Sequence, residues 1–277
     1  MKIITDNTSL MRFVPNSIAP VKGETSLFDK ISIHLQLSEQ WVCDTFTSES
    51  TLTRIASYTD SNMLKHYIGQ IIVAEALHRA VPSLDLVITP NGFGIVSNNT
   101  ITPASKQRVD RLLGNLIELR DDAIKNALLL LPEAHAWADS RPSQFFGATL
   151  FPNINLATLC GVNSNRWTKF LELRSRVIGI EQSLADEYFS PELMMKLQWE
   201  SLYNQLDPFH LKVVQIIRSQ IVDVLLDRPI NGTRMRDCVN YIRSNPLRFL
   251  EWQNSETAKL FSPPKFENDK KAKGYFF

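Results

Sequence analysis

The chain of 277 residues can form one large domain or two small ones, and either can bury a substantial core. Its hydrophobic fraction of 44% and charged fraction of 21% are ordinary for a globular protein, and its formal net charge of +1 excludes a strong overall attraction to nucleic acid or anionic membranes. Three widely spaced cysteines argue against a disulfide framework. With no signal-peptide pattern and no apolar run of membrane-spanning length, these features predict a cytoplasmic protein.

The predicted elements begin with a polar, proline-containing extended arm over residues 1–24. Apolar residues at helical spacing then predict a helix from about Ser26 to Phe46. A second helix is predicted from about Ser61 to Ala80, and Pro82 is expected to end it. Both belong to a predicted helical domain, residues 25–142.

A β-hairpin within residues 84–100 is the clearest exception to the helical pattern. Two runs rich in Leu, Val and Ile flank Asn91-Gly92, and these two residue types tolerate the positive φ angles of tight hairpin turns. Gly92-Phe93-Gly94 is interpreted as a turn element, because no helix with the lysine and hydroxyl residue of a phosphate loop follows it. Strand edges carry unpaired N–H and C=O groups that need cover, so the hairpin is a candidate subunit contact.

Thr102 and Pro103 predict the N-cap and first position of a long helix that Pro132 ends or kinks. A second helical region is predicted for residues 143–261, and a flexible tail for residues 262–277. Arg141 to Asn153 is interpreted as a loop-rich bridge. Four helices are predicted after it, at about Asn165 to Tyr188, Pro191 to Leu206, Pro208 to Leu226 and Arg234 to Leu260.

Faint internal echoes relate the two predicted helical regions. Residues 44–52 resemble residues 186–193, and the triplet at 70–72 recurs at 215–217, with a spacing of about 143 to 145 residues. A tandem duplication of a helical unit requires such a constant spacing, but amphipathic helices also produce such echoes by chance. The predicted fold class is mainly α: a helical bundle with one inserted β-hairpin, an extended N-terminal arm and a C-terminal tail.

Catalytic and metal-binding patterns are nearly absent from the sequence. Glu75 and His78 have the spacing that places a carboxylate and an imidazole on one helix face, as in di-iron bundles, but those bundles use the motif twice and this chain has one copy. No Gly-x-Ser-x-Gly elbow provides a seat for an activated serine. The sequence therefore predicts a protein that is not an enzyme and uses no cofactor. A metalloenzyme at Glu75 and His78 is a third hypothesis.

Four arginines in the last helical region form a candidate DNA-facing surface: Arg234, Arg236, Arg243 and Arg248. Contacts from such residues to the phosphate backbone are independent of base sequence and sensitive to salt. A solvated helix face with no partner is the alternative interpretation of the same residues.

The polar, lysine-rich tail ends in three aromatic residues, Tyr275, Phe276 and Phe277. Burying one such ring contributes about 2–3 kcal/mol, whereas ordering each residue costs about 1–2 kcal/mol. The tail can therefore dock only if its gain is concentrated at the aromatic end and it enters a preformed groove. A disordered tail is the alternative.

Residues 86–99, residues 102–109 and the ending from Lys270 to Phe277 together resemble an uncharacterised family from tailed phages and prophages of gut bacteria, the crAss-like phages and their relatives. These motifs are specific as a mark of the family but say little about its chemistry. The resemblance implies a head–tail connector, also called a neck adaptor. Such helical subunits form a ring beneath the portal and pass DNA through its centre.

The resemblance implies a structural virion protein that is located in the neck after assembly in the host cytoplasm. Its partners would be other copies of the chain in a ring, the portal, tail and neck proteins, and DNA that passes without sequence-specific contact; no membrane is involved. The expected subunit contacts are Val87, Ile88, Asn91, Gly92, Phe93, Ile95, Tyr275, Phe276 and Phe277. The alternative function is a nucleic-acid-binding accessory protein that uses the four arginines.

Overall fold

The computed structural model describes residues 1–14, 25–84, 86–89, 92–95 and 105–262; for residues 86–89 and 92–95 it describes the backbone alone. The mainly α-helical class is confirmed. The first seven described elements are, in order, α1 (Asn7–Met11), α2 (Leu27–Thr45), α3 (Glu49–Ala56), α4 (Met63–Leu84), β1 (Leu86–Thr89), β2 (Gly92–Ile95) and α5 (Lys106–Leu130).

A 3₁₀ turn at Leu131–Glu133 follows α5, and the remaining helices are α6 (Arg141–Gly147), α7 (Asn155–Leu159), α8 (Arg166–Leu184), α9 (Pro191–Leu202), α10 (Pro208–Leu225), α11 (Gly232–Ser244), α12 (Leu250–Gln253) and α13 (Glu256–Leu260). A π-helical turn, Ala185–Phe189, continues α8, and a second 3₁₀ turn, Pro246–Arg248, precedes α12. Most of these helices begin where a short polar side chain accepts a backbone N–H of the first turn, which satisfies a donor that the helix itself leaves free. These N-caps include Ser26, Ser48, Ser140, Ser190, Asp207, Asn231 and Ser255.

The prediction of an extended arm is wrong for the first 14 residues. Asp6 and Ser9 form a capping box that starts α1, and Leu10 of that helix is completely buried. Upstream, the buried Glu39 of α2 accepts the backbone N–H groups of Lys2 at 2.8 Å and Ile3 at 3.1 Å. The polar sequence suggested an extended segment, but hydrogen bonds to the buried carboxylate of Glu39 hold this segment against the core. Residues 15–24 lie outside the described residues.

The predicted end of the helix before the hairpin is wrong. Pro82 lies inside α4, which continues to Leu84. A proline in the last turn removes one backbone bond without breaking the turns that precede it, so the helix can pass it. The long helix α5 begins after Ser105; Thr102 and Pro103, predicted to start it, lie outside the described residues. The predicted end at Pro132 is confirmed by the 3₁₀ turn at that point.

Two further predictions in the second region are wrong. The bridge between Arg141 and Asn153 contains α6, because Ser140 caps a helix that tolerates Pro142 in its first turn. The single helix predicted from Arg234 to Leu260 is interrupted at Pro246 and again at Asn254, so that α11, α12 and α13 are separate.

Buried residues from both predicted helical regions form one continuous hydrophobic cluster, from Ile3 to Ala258. Aromatic rings fill its centre, where Phe46 lies 4.9 Å from Trp167 and 6.1 Å from Phe146 between ring centroids. Because these rings come from α2, α6 and α8, the two halves of the chain share their packing.

An unusual tryptophan contact occurs once in each half. The indole Nε1 of Trp137 donates to the carbonyl oxygen of Phe46 at 2.7 Å, and that of Trp252 donates to the carbonyl oxygen of Tyr188 at 2.8 Å. In each case the accepting residue lies just before the serine that caps the next helix, which is Ser48 or Ser190. We call these two contacts the tryptophan corners.

The chain continues in the same way after each tryptophan. Three residues on, Ser140 or Ser255 donates its hydroxyl to the tryptophan carbonyl and caps a short helix, α6 or α13. An aromatic ring at the same spacing beyond the serine then contacts the corner: Phe146 lies 6.1 Å from Phe46, and Phe261 lies 6.3 Å from Tyr188. Elements α1–α6 and α7–α13 thus follow one another in the same order, with α12 extra in the second half.

Candidate functional site

Helices α4 and α5 run antiparallel, and their outer turns, with β1 and β2 at the tip, form an extension. We call this extension the arm; it is distinct from the N-terminal segment of residues 1–24. At the base of the arm, Ala74 and Leu77 of α4 line the same cleft as Leu116 and Leu119 of α5. Toward the tip this burial ends, since within the described part of the chain no side chain of residues 105–115 is buried. The arm therefore exposes apolar side chains such as Leu112, which is 46% exposed.

The backbone at the tip forms a two-stranded antiparallel ladder. Val87 lies opposite Gly94, Ile88 opposite Phe93, and Leu86 opposite Ile95. In the described residues this sheet contains β1 and β2 alone, so the outer edge of each strand has no strand partner there. The ladder brings together the predicted contact residues Val87, Ile88, Gly92, Phe93 and Ile95 at the level of the backbone.

Four other predicted contact residues, Asn91, Tyr275, Phe276 and Phe277, lie outside the described residues. Their roles in the turn and in the tail stay predictions. The hairpin's role as a subunit contact likewise stays a prediction.

A buried charge network lies at the base of the arm. Arg120 of α5 donates to Glu75 of α4 at 2.9 Å and to Asp121 at 2.9 Å, while Arg79 donates to the second oxygen of Glu75 at 2.7 Å. Burial alone would raise the pKa of Glu75, but the hydrogen bonds from Arg120 and Arg79 hold it below its ordinary value. Asp121 also accepts the backbone N–H of Trp167, so the network ties the arm to the second half.

This network also bears on the metal hypothesis for Glu75 and His78. Both carboxylate oxygens of Glu75 accept hydrogen bonds from arginines, and His78 is partly buried on the same helix. Within the described ranges, no group of three or more histidine, cysteine, aspartate or glutamate residues is arranged to hold a metal ion. Glu75 is therefore explained as a structural ion-pair partner of α5.

The four candidate DNA-facing arginines do not share one helix face. Arg236 and Arg243 are exposed on one flank of α11, about two turns apart, whereas Arg234 lies about 200° around the helix from Arg236. Arg248 is outside α11, and its guanidinium lies 5.1 Å from the ring centroid of Phe209. The structure brings together Arg236 and Arg243 alone.

A cleft of about 480 Å³ in the second half contains a buried carboxylate that the sequence did not reveal. Glu181 of α8 accepts the backbone N–H of Leu150 at 2.9 Å and the amide of Gln198 at 2.7 Å. Burial raises its pKa to about 7, against the opposing effect of those hydrogen bonds and of Arg174 and Arg218. Glu181 repeats the arrangement of Glu39 in α2. Each carboxylate accepts a backbone N–H from the segment that precedes the first helix of its half.

The tryptophan corners were also missed at the level of sequence. Trp137-x-x-Ser140 and Trp252-x-x-Ser255 are each followed by a phenylalanine, Phe146 or Phe261, at the same spacing. This repeated pattern is a sequence signal that could have located them, and it is more specific than the echoes at residues 44–52 and 186–193.

A family of unknown function, DUF6712, matches residues 18–146 of the chain. The matched segment ends within α6, so it covers the arm and most of the first half and stops before the second. No curated protein and no solved structure matches the chain. Across the described residues, no helix combines the length and the apolar character that a membrane crossing requires.

Proposed function

We propose that this protein is a structural subunit of a phage neck: a head–tail connector that forms a ring, joins the portal to the tail and lines the DNA channel. The observation that carries the proposal is the arm: residues 105–115 of α5 have no buried side chain, and in the described part of the chain the outer edges of β1 and β2 have no strand partner. The sequence resemblance at the hairpin and the tail supports the same function.

An arm of this kind suits a ring because ring closure needs a heterologous interface, in which one face of a subunit fits a different face of the next. Apolar side chains such as Leu112 and Leu119 on the arm, 46% and 47% exposed, would be covered by a neighbouring subunit. The open edges of β1 and β2 can add to a strand of a neighbour. The inserted hairpin then acts as a subunit contact, with the aromatic tail as a second one.

The charge of the chain fits a channel wall. A formal net charge of +1 lets DNA slide past without the strong retention that a basic surface produces. In this proposal the partners are the portal, tail and neck proteins, and the assembled ring is located in the virion neck.

The direct test replaces residues 85–104 by a short glycine-serine linker and measures assembly. The wild type is expected to form rings, seen by negative-stain electron microscopy and by mass in solution, alone or with the portal of the same phage. The variant is expected to lose ring formation while its helical circular dichroism is retained. Leu112→Glu should weaken assembly in the same direction, and Leu211→Glu, on the exposed surface of α10, is the matched control.

A wild-type chain that stays monomeric, even with its portal, would contradict the connector proposal. The alternative, a nucleic-acid-binding accessory protein, would be favoured if that monomer bound DNA with an affinity that falls with salt and with Arg236→Ala and Arg243→Ala.

A further inference from the structure

The two halves of the chain meet through different faces. The first half contributes α5, α6 and the end of α2, and the second contributes the start of α8 and the end of α9. Phe146 stacks on Phe170 with 6.3 Å between ring centroids, and the hydroxyl groups of Ser143 and Tyr203 are 3.3 Å apart. Because the two faces come from non-equivalent elements, the contact between the halves is heterologous and can be repeated indefinitely.

In the described part of the chain, the corresponding elements leave the second copy of each face less covered. The tryptophan corners match α6 with α13 and Phe146 with Phe261, while the shared position of Glu39 and Glu181 matches α2 with α8 and Phe28 with Phe170. Phe146 is 0% exposed and Phe170 is 1% exposed, because each half covers the other. Phe261 and Phe28 are only partly buried.

A buried position of α5 supports the same correspondence. Arg120, Ala123, Ile124 and Ala127 are buried in α5, and Met235, Cys238, Val239 and Ile242 are buried at the same spacing in α11. Since α11 matches α5, the face formed by α11 and α13 in the second half is the counterpart of the first-half face formed by α5 and α6. In the first half, α8 covers that face. In the second half, α13 is the last helix of the described chain, so no following helix covers the corresponding face.

We propose that copies of this chain associate head to tail by repeating the contact between their own halves. The α11–α13 face of one copy docks on the start of α2 in the next copy, and the occupant of each open face is thus a second copy of this chain. The inference rests on the proposed ring and names its interface. Each chain then supplies two similar units of one continuous array.

The internal contact predicts which side chains meet between copies. Phe145 and Leu171 line one groove between the halves. Their counterparts are Leu260, which is 74% exposed on α13, and Asp29, which is exposed in the first turn of α2. Leu260 of one copy should therefore lie beside Asp29 of the next.

A charge-swap experiment on the full chain tests this contact. Leu260→Glu places a carboxylate beside Asp29, so self-association measured by sedimentation velocity should weaken by about tenfold or more. Adding Asp29→Lys to Leu260→Glu should restore association to nearly the wild-type value. Met195→Glu is the matched control, because Met195 is a 65% exposed apolar residue on α9, a helix that takes no part in the proposed contact between copies. Circular dichroism of each variant verifies that the fold is retained.

The outcomes separate this inference from the proposed function. Rings that form equally well with Leu260→Glu and with Met195→Glu overturn the head-to-tail contact and leave the connector proposal standing on the arm. Loss of association without rescue by Asp29→Lys also overturns the pairing of Leu260 with Asp29. A wild type that never associates overturns both.

Discussion

The two halves of this protein share a tryptophan corner but differ in what connects the helices before it. In the first half, α4 and α5 extend into an arm that carries β1 and β2; in the second, α10 and α11 are joined by a short segment between Leu225 and Gly232. Trp137 and Trp252 nevertheless make the same hydrogen bond to a helix corner. This arrangement of helices can therefore be built without the arm, which leaves the arm available for the subunit contacts proposed above.

The interiors of the halves also differ at one matched position. Arg120 of α5 is buried in an ion-pair network with Glu75 and Asp121, whereas Met235 of α11 is buried among apolar residues. In the first half, buried ion pairs fix α5 against α4. In the second half, the matched position of α11 is packed by apolar side chains. A buried network of this kind favours one relative position of α4 and α5.

The largest expected effect is at the corners. Trp137→Ala should lower the free energy of unfolding by about 3–5 kcal/mol for the lost ring, and the unpaired Phe46 carbonyl should add about 1–3 kcal/mol. Trp252→Ala should cost less, because its neighbour Phe261 is partly exposed and water can enter. Urea unfolding of both variants measures the difference. Equal losses would show that the corners are energetically equivalent.

The next effect concerns the matched position in α5 and α11. Arg120→Met introduces the residue of the second half and leaves Glu75 and Asp121 buried without their partner, so the free energy of unfolding should fall by about 3–5 kcal/mol. Arg79→Met, at the more exposed end of the network, should cost less than about 1 kcal/mol and is the control. Chemical denaturation measures both. A small loss for Arg120→Met would mean that water or rearrangement compensates the two carboxylates.

Glu181 should make stability depend on pH. Its pKa is about 7 in the folded protein and near 4.5 when unfolded, so the folded state binds the proton more tightly between these values. The free energy of unfolding should therefore fall by about 2–3 kcal/mol as pH rises from 4.5 through 7, and level off about one pH unit above 7.

Glu181→Gln should remove this loss. The free energy of unfolding of the variant should therefore increase relative to that of the wild type as pH rises. Unfolding at pH 5 and pH 8 measures the gain, and Glu172→Gln, at an exposed position of the same helix, is the control. A constant difference between variant and wild type at both pH values would exclude titration of Glu181.

The smallest expected effect on stability comes from the arm itself. Replacing residues 85–104 by the short connection of the second half, residues 226–231, should change the free energy of unfolding by less than about 1 kcal/mol, because the outer turns of α5 bury no side chain in the described structure. Thermal unfolding followed by circular dichroism measures it. A large loss would show that the arm stabilises its own subunit.

The sequence predicted those elements whose signal is local. The helix from about Ser26 to Phe46 agrees with α2, and Pro191 and Pro208 mark the first positions of α9 and α10, because apolar spacing, caps and prolines act within a few residues. The short helices α1, α3, α6 and α7 were missed. Each has one or two turns, too few for a helical period to appear.

The contacts of the candidate interfaces could not be predicted in the same way. The bond from Trp137 to Phe46 joins residues 91 positions apart, and the bond from Arg120 to Glu75 joins residues 45 positions apart. No local pattern encodes which polar group a buried side chain meets at such a separation. The four arginines illustrate the limit, since their nearness in sequence did not place them on one face of α11.

The presence of an arm in one half alone has a consequence for symmetry. In the head-to-tail ring proposed above, the helical units occur in pairs, and alternate units carry an arm. The rim defined by the arms thus has half the rotational order of the wall defined by the tryptophan corners. A neighbouring protein that binds the arms would therefore meet one rotational symmetry. A neighbouring protein that binds the wall of the same ring would meet another.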